Sequence, residues 1–463
     1  SVAGLGRGEV PVVSRHDGGA AYGGTPSDNA VRAAIADLKA RGLKVTLYPM
    51  VMMDIAVGND LPNPYGGTGQ AAYPWRGRIT CHPAPGRAGS PDQSAAAAAQ
   101  VANFAAEYRH MVLHYAGLAV AAGGVDTLII GSEMVGLTTL RGAGNSFPFV
   151  SALVTLAADV RAVVGSGTTL TYAADWSEYS GYQPGGGEKF FHLDPLWASA
   201  DIDAVGIDNY MPLADWRDGQ GHADAAVSAS GYDRGYLMGN IAGGEGFDWF
   251  YASAEDRQAQ IRTPITDGAY GEPWVWRVKD IRNWWSQPHH DRPGGVRKAS
   301  PTAWAPGSKP VIFTELGCGA VDKGANQPNI FGDPKSAESG RPYFSAGTPD
   351  LLIQRQVLRA HQAFWRDAAN NPPGMVDVDR IYHWTWDARP YPAFPALTDV
   401  WADGPNHRNG HWLTGRLGGM ASDELAMAIA ADHGVTLSAE PAAPLMGGLV
   451  LANATTAREA LEP

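Results

Sequence analysis

The sequence has only two cysteines, Cys81 and Cys318, among 463 residues. Two cannot build a disulfide framework or a thiolate zinc site. Both read as free, buried thiols, and stability has to come from a packed core. No apolar run reaches the roughly 18 to 20 residues needed to span a bilayer, so membrane insertion by a helix is not expected. No signal peptide opens the chain. It begins Ser1-Val2-Ala3, without Met, and reads as an excised piece of something longer. Positive charge is also in short supply: 35 Lys and Arg stand against 47 Asp and Glu, a net charge of −12. Neutralising phosphates needs a basic face, so nucleic acid is not expected as a partner. A neutral polymer fits this balance better. Charged residues are only 18% of the chain against 44% apolar, which argues against disorder and allows a sizeable core.

Aromatic residues are plentiful, with 15 Trp and 17 Tyr beside 57 Gly and 33 Pro. Each buried indole N–H needs a partner, so cores rarely use this many Trp. Platforms for stacking sugar rings would use them, as would a large core under long Gly- and Pro-rich loops.

Short apolar strands alternate with helical stretches, the pattern of a parallel α/β fold. Thr25-Pro26-Ser27-Asp28 starts a helix, with Pro26 read into its first turn, and Leu43–Pro49 follows as a strand. Ser90-Pro91-Asp92-Gln93 reads as a capping box for a helix over about 93–122. Strands are expected at Val125–Gly131, Thr169–Ala173, Ile202–Ile207, Pro310–Phe313 and Arg380–His383, and helices at about 148–164 and 349–369. Loops after strands are long and loops after helices short. A (β/α)₈ barrel has this asymmetry, because the carboxyl ends of its strands carry the site. Residues 211–308 form a large insertion after the sixth strand. From about residue 416 the pattern changes, with a helix at Ser422–His433, a strand core at Leu449-Val450-Leu451 and a capping box at Thr456-Ala457-Arg458-Glu459.

Two carboxylates stand at strand exits: Glu133 after Leu128-Ile129-Ile130-Gly131-Ser132, and Glu315 after Val311-Ile312-Phe313-Thr314. A charge inside a doubly buried strand would be strongly destabilising, and one just past it lies at the barrel mouth. Such a pair suits glycosidic cleavage, with Glu133 as acid/base and Glu315 as nucleophile. A retaining pair stands about 5 to 5.5 Å apart and an inverting pair about 6.5 to 9.5 Å. Asp175-Trp176, Asn209-Tyr210 and Trp384-Thr385-Trp386 end other strands and would ring the same opening. Asp175, Trp176, Asn209, Tyr210, Trp384 and Trp386 are therefore the expected substrate-binding residues, with Tyr210 placed to hydrogen-bond a nucleophilic carboxylate. Trp249, Trp274, Trp276, Trp284 and Trp285 add aromatic surface or core in the insertion. His82, His192, His289 and His290 read as ordinary loop histidines rather than metal ligands. Glu178 and Glu245 are weaker site candidates, with Glu178 read as a solvated loop carboxylate. No metal or organic cofactor is expected.

Gly131-Ser132-Glu133-Met134 and Pro310–Gly317 resemble the fourth- and seventh-strand motifs of clan-A glycoside hydrolases. The last-strand Trp motif is similar to that clan's eighth strand. The clan usually has Asn before the acid, where this chain has Ser132. Longer runs carry a closer resemblance: 21–28, 72–80, 172–179, 206–213 and Asn283-Trp284-Trp285-Ser286. These resemble the TIM-barrel domain of gene transfer agent baseplate hub ("megatron") proteins, phage-tail-like proteins of alphaproteobacteria. The resemblance implies a barrel over residues 1–415 and the start of a phage-tail-like domain over 416–463. It implies other baseplate proteins as partners, and a place in a phage-like tail acting at the bacterial envelope after synthesis in the cytoplasm. With Glu133 on strand four, only Val10–Ser14 is left as strand two, so the expectation is either a missing first strand, supplied by another segment, or an irregular barrel. Two functions follow as expectations: a retaining β-glycosidase of an envelope or capsular glycan, or a barrel that grips a glycan or serves the baseplate without cutting.

Overall fold

The apolar runs between helices assemble into one parallel sheet. The structure is a computed structural model that describes residues 25–413 and 420–438 without interruption, with 14–15, 18–19, 21, 445–446 and 456 besides. Its barrel strands are β1 (Thr46–Leu47), β2 (Thr127–Ser132), β3 (Thr169–Asp175), β4 (Val205–Asn209), β5 (Val311–Leu316) and β6 (Val376–His383). They are hydrogen-bonded in that order, and every pairing is parallel. Long helices precede β1, β2, β3 and β6: α1 (Asp28–Ala40), α2 (Ala95–Ala121), α3 (Pro148–Val164) and α4 (Leu351–Arg366), while only short helices lie between β3 and β4 and between β4 and β5. The fold is the expected α/β, TIM-barrel-like one, seen as a six-stranded arc among the described residues. Side chains cross the arc's interior: Thr46 Oγ1 meets Tyr382 OH at 3.0 Å, joining its first and last strands, and Arg380 reaches Thr169 Oγ1 at 3.1 Å. The strand expected at Val10–Ser14 lies outside the described residues except for Ser14, whose hydroxyl donates to Pro26 O at 2.9 Å.

β2, β4 and β5 are buried at every position, which explains why their sequences run apolar without alternation. The core lies between this sheet and the helices, with Leu128, Ile130, Leu170, Val205, Val311 and Phe313 in it. Three local readings change. Ser27 is the N-cap of α1, accepting from Ala30 N, so Pro26 precedes the helix instead of sitting in its first turn. Ser94, not Ser90, caps α2, because Gln93 is left-handed (φ +66°) and Asp92 accepts from Arg141 N instead. The strand expected over 43–49 shrinks to Thr46–Leu47: Leu43 N closes the end of α1 on Leu38 O, and Val45 N is taken by the Asp126 carboxylate.

Connections at the strands' amino ends are short, and those at the carboxyl ends are long: 48–94, 133–147, 176–204, 210–310 and 317–350. The insertion has its own aromatic centre. Trp284 and Trp304 are buried there, and His289 stacks between Phe191 (4.3 Å) and Trp304 (5.6 Å) while its ring nitrogens meet Asp194 at 2.9 Å and Trp284 O at 2.7 Å. His289 is thus a core residue. Trp274, Trp276 and Trp285 pack partly buried against that core, while Trp249 lies under the Arg262 guanidinium at 4.1 Å. Beyond the barrel, a helix covers Ser422–Asp432, and Glu424 pairs with Arg359 of α4. Leu449–Leu451 and nearly all of the capping box at 456–459 lie outside the described residues. No described helix is long and apolar enough to cross a membrane.

Candidate active site

The carboxyl end of β2 is where the backbone leaves the sheet. Glu133 N still donates to Ala173 O at 2.9 Å, but Glu133 itself is left-handed (φ +49°), a conformation rare for a residue with a Cβ. The turn that follows, Val135–Thr138, presses against the segment Arg76–Ile79. A Cβ on Gly136 would stand 2.7 Å from the carbonyl oxygens of both Gly77 and Ile79, so only glycine allows this approach. The contact brings Trp75 and Arg76 to Glu133. The Trp75 indole N–H donates to Glu133 Oε2 at 2.7 Å, and Arg76 Nη2 pairs with the same oxygen at 2.8 Å. Arg76 also donates to Ser132 Oγ from Nε (2.9 Å) and Nη2 (2.5 Å). Ser132, in the place where the resemblance leads one to expect Asn, thus anchors the arginine. The loop after β5 holds this segment from outside: Trp75 N donates to Glu338 Oε2 at 2.9 Å, Ala337 N donates to Ala72 O at 2.8 Å, and Glu338 pairs with Arg78.

Glu315 sits within β5, and its position is set by the sheet. Tyr210 OH donates to Oε2 at 2.6 Å, while Oε1 is buried with no partner among the described residues. Asp175, Asp208 and Glu315 lie side by side on β3, β4 and β5 as register partners. Asp208 accepts from Thr314 Oγ1 at 2.6 Å and Tyr48 OH at 3.1 Å. One carboxylate oxygen each from Glu133, Asp208 and Glu315 lies within 4.8 Å of the others.

Like charges on neighbouring strands repel, and among the described residues Arg76 is the cation that acts on the row most strongly. Burial, then the nearby Glu133 charge, pushes the Glu315 carboxyl up to about 7 against the pull of Tyr210 and Arg76. Burial and Glu133 likewise raise Asp175 to about 7, and burial with Glu315 and Glu133 raises Asp208 well above the usual carboxylate range. Burial also raises the Tyr48 and Tyr210 hydroxyls, which stay protonated and donate. The site therefore holds protons at neutral pH in groups that would release them in water, a state suited to acid–base work.

Three carboxylates this close are also a possible cation site. Arg76 already brings a positive charge, and donors already occupy one oxygen or both on each member: Trp75 and Arg76 on Glu133, Tyr48 and Thr314 on Asp208, Tyr210 on Glu315. The donor set fits a hydrogen-bonded acid–base cluster better than a metal centre.

Of the residues expected from the sequence, Glu133, Glu315, Asp175 and Tyr210 meet in one charge-coupled cluster. Asn209 is buried beside them in chain, its Oδ1 facing Met211 N at 3.4 Å. Trp176 is half-buried, with an indole N–H that finds no partner among the described residues. Trp384 is half-buried at the end of β6, whereas Trp386 is 66% exposed. Glu178 is not a solvated carboxylate: it is buried against Tyr172, Thr138 and Asp175 N. Glu245 forms a two-point pair with Arg257 inside the insertion. His82 is exposed, His290 meets Lys298 O at 2.8 Å, and His192 is buried among aromatic rings. Tyr48, Trp75, Arg76 and Asp208 were not expected as site residues. Tyr48 and Asp208 obey the same strand-exit rule that singled out the glutamates, so that rule applied to polar residues generally would have found them. Trp75 and Arg76 lie mid-loop and carry no such signal.

A family model described as the GTA TIM-barrel-like domain matches residues 106–395. Among solved structures, a study of two fungal β-1,4-galactanases offers a match at 13% identity and a TM-score of 0.25, covering 50% of this chain and 55% of that one. The chain thus spans about half the length of that galactanase. No curated protein matches.

Proposed function

This chain belongs to the GTA TIM-barrel-like domain family, and from that premise we propose that it is a retaining glycoside hydrolase acting on a bacterial envelope or capsular glycan within a phage-like tail. The observation that carries the chemistry is the approach of Glu133 and Glu315, with carboxylate oxygens no more than 4.8 Å apart. So close an approach supports the retaining arrangement over the wider inverting one. The Glu315 carboxylate attacks the anomeric carbon while Tyr210 steadies Oε2. The bond from that carbon to the leaving oxygen breaks as Glu133 gives the oxygen its proton. Glu133 then takes a proton from water, which attacks the same carbon and frees Glu315. Asp175, Trp176, Asn209 and Trp384 shape the sugar site, and Trp386 offers an exposed ring beyond it. The tail setting is supported by the family and by the sequence resemblance to baseplate hub proteins.

One observation favours the second reading, a barrel that grips a glycan without cutting it. Glu133 is ion-paired with Arg76 and its charge raises the Glu315 carboxyl, so the mechanism needs that pair to rearrange and a proton to pass from Glu315 to Glu133 before the leaving oxygen can be protonated. A panel of aryl β-glycosides and envelope glycans decides between them. Turnover by the wild type that Glu315→Gln abolishes is expected. Binding without turnover across the panel would overturn the hydrolase reading.

A further inference from the structure

We propose that Glu178 is a positioning residue for Glu133, acting through Tyr172 and the Met134 amide. The proposal rests on the hydrolase reading above. The sheet holds Glu133 only through its amide, on Ala173 O at 2.9 Å, because the chain turns left-handed at that residue. The next amide, Met134 N–H, points inward and donates to Tyr172 OH at 2.8 Å. That bond uses the tyrosine oxygen as acceptor, so the phenol proton has to go elsewhere. It goes to Glu178, whose oxygens lie 3.1 and 3.3 Å away. Glu178 also accepts from the Asp175 amide at 3.1 Å and is hydrogen-bonded to Thr138 Oγ1, at the far end of the turn that Glu133 begins. One buried carboxyl thus joins both ends of the 133–138 turn to the tip of β3, where Asp175 stands. It touches neither Glu133 nor the open site.

Burial, with the Asp175 charge, raises Glu178 to about 8, so the group is a neutral acid at pH 7. A neutral acid in this place accepts from Tyr172 and the Asp175 amide and donates to Thr138 Oγ1. The Thr138 hydroxyl then turns to Val135 O, 3.4 Å away. A glutamine amide reproduces this pattern, with its oxygen on the Tyr172 and Asp175 side and its NH₂ toward Thr138. Leucine reproduces none of it. Tyr172→Phe cuts the link at one atom and leaves the bonds from Glu178 to Thr138 and Asp175 in place.

The experiment compares steady-state kinetics and melting of Glu178→Gln, Glu178→Leu and Tyr172→Phe with wild type, on whichever aryl β-glycoside the wild type cleaves. The expected result is a kcat lowered roughly tenfold to a hundredfold in Tyr172→Phe, with KM within about twofold. Glu178→Leu, if it folds, behaves alike, and Glu178→Gln stays within about threefold of wild type. Wild-type kcat in a folded Tyr172→Phe would overturn the proposal alone. Loss in Glu178→Gln equal to that in Tyr172→Phe would overturn it too, because a charge and not the bonding pattern would then be what matters. A wild type that binds glycans but cleaves nothing overturns the hydrolase reading and this proposal together.

Discussion

The barrel mouth and the insertion each gather buried acids, and they treat them in opposite ways. In the insertion, Asp215 and Asp224 share Arg262 at 2.9 and 2.5 Å, and Glu245 is matched by Arg257. Despite its burial, hydrogen bonds from Tyr251, Gln260 and Arg262 hold the Asp215 carboxyl below its usual range. At the mouth, Glu133, Asp175, Asp208 and Glu315 share Arg76 as their one arginine among the described residues, and burial with mutual repulsion raises Asp175, Asp208 and Glu315. Arginines supplied freely in one cluster and sparsely in the other fit the proton transfer proposed for the second.

The sharpest way to break that contrast is to neutralise one acid in each cluster. Glu315→Gln should lower kcat on the order of a thousandfold or more. Its melting temperature should hold or rise, because an amide still accepts from Tyr210 and no longer repels Glu133. Kinetics and melting on the same sample check both halves. Arg262→Met should do the reverse. It leaves Asp224 without its cation and Asp215 with Arg217 alone, at 3.5 Å, at a cost of about 3 kcal/mol read by denaturant unfolding, and leaves turnover per folded molecule unchanged.

pH separates the clusters without mutation. Asp175, Glu178 and Glu315 titrate at about 7, 8 and 7, above their ordinary values near 4. The folded chain therefore keeps protons that the unfolded chain has lost. Their contribution to stability is complete below about pH 4 and is lost as pH rises through 7 to 8. Asp215 works the other way, stabilising above its ordinary value near 3.8 and less as pH falls below it. Melting temperature should peak in mild acid and fall by several degrees toward pH 8.5. In Glu178→Gln that alkaline fall should be shallower. A flat profile from pH 5 to 8.5 would erase the difference between the clusters. The smallest effect is expected at Trp386, which belongs to neither. Its loss in Trp386→Ala should weaken glycan binding by about fivefold or less, seen by titration calorimetry.

The barrel class was legible because β2, β4 and β5 are buried on both faces and so read as unbroken apolar runs. Glu133 and Glu315 were legible because a charge directly after such a run has one sensible place to be. Elements decided by tertiary partners were harder to read. β1 loses residues to a carboxylate, Asp126, that is close only in space. Ser94 displaces Ser90 as a cap because Asp92 is engaged by Arg141. Glu178 looked like a loop carboxylate because its acceptors and donors come from β3 and from the turn after β2. Trp75 and Arg76 reach Glu133 through a glycine contact at Gly136 and a clasp from Glu338, and no local pattern announces either.

The most direct test of the Glu133–Glu315 pair is the anomeric configuration of the first product released from a β-glycoside, read by proton NMR before mutarotation. Retention, as the β-anomer, is the predicted result. An α-anomer formed first would contradict the retaining pair, and so would a wild type that binds the glycan and releases no sugar at all.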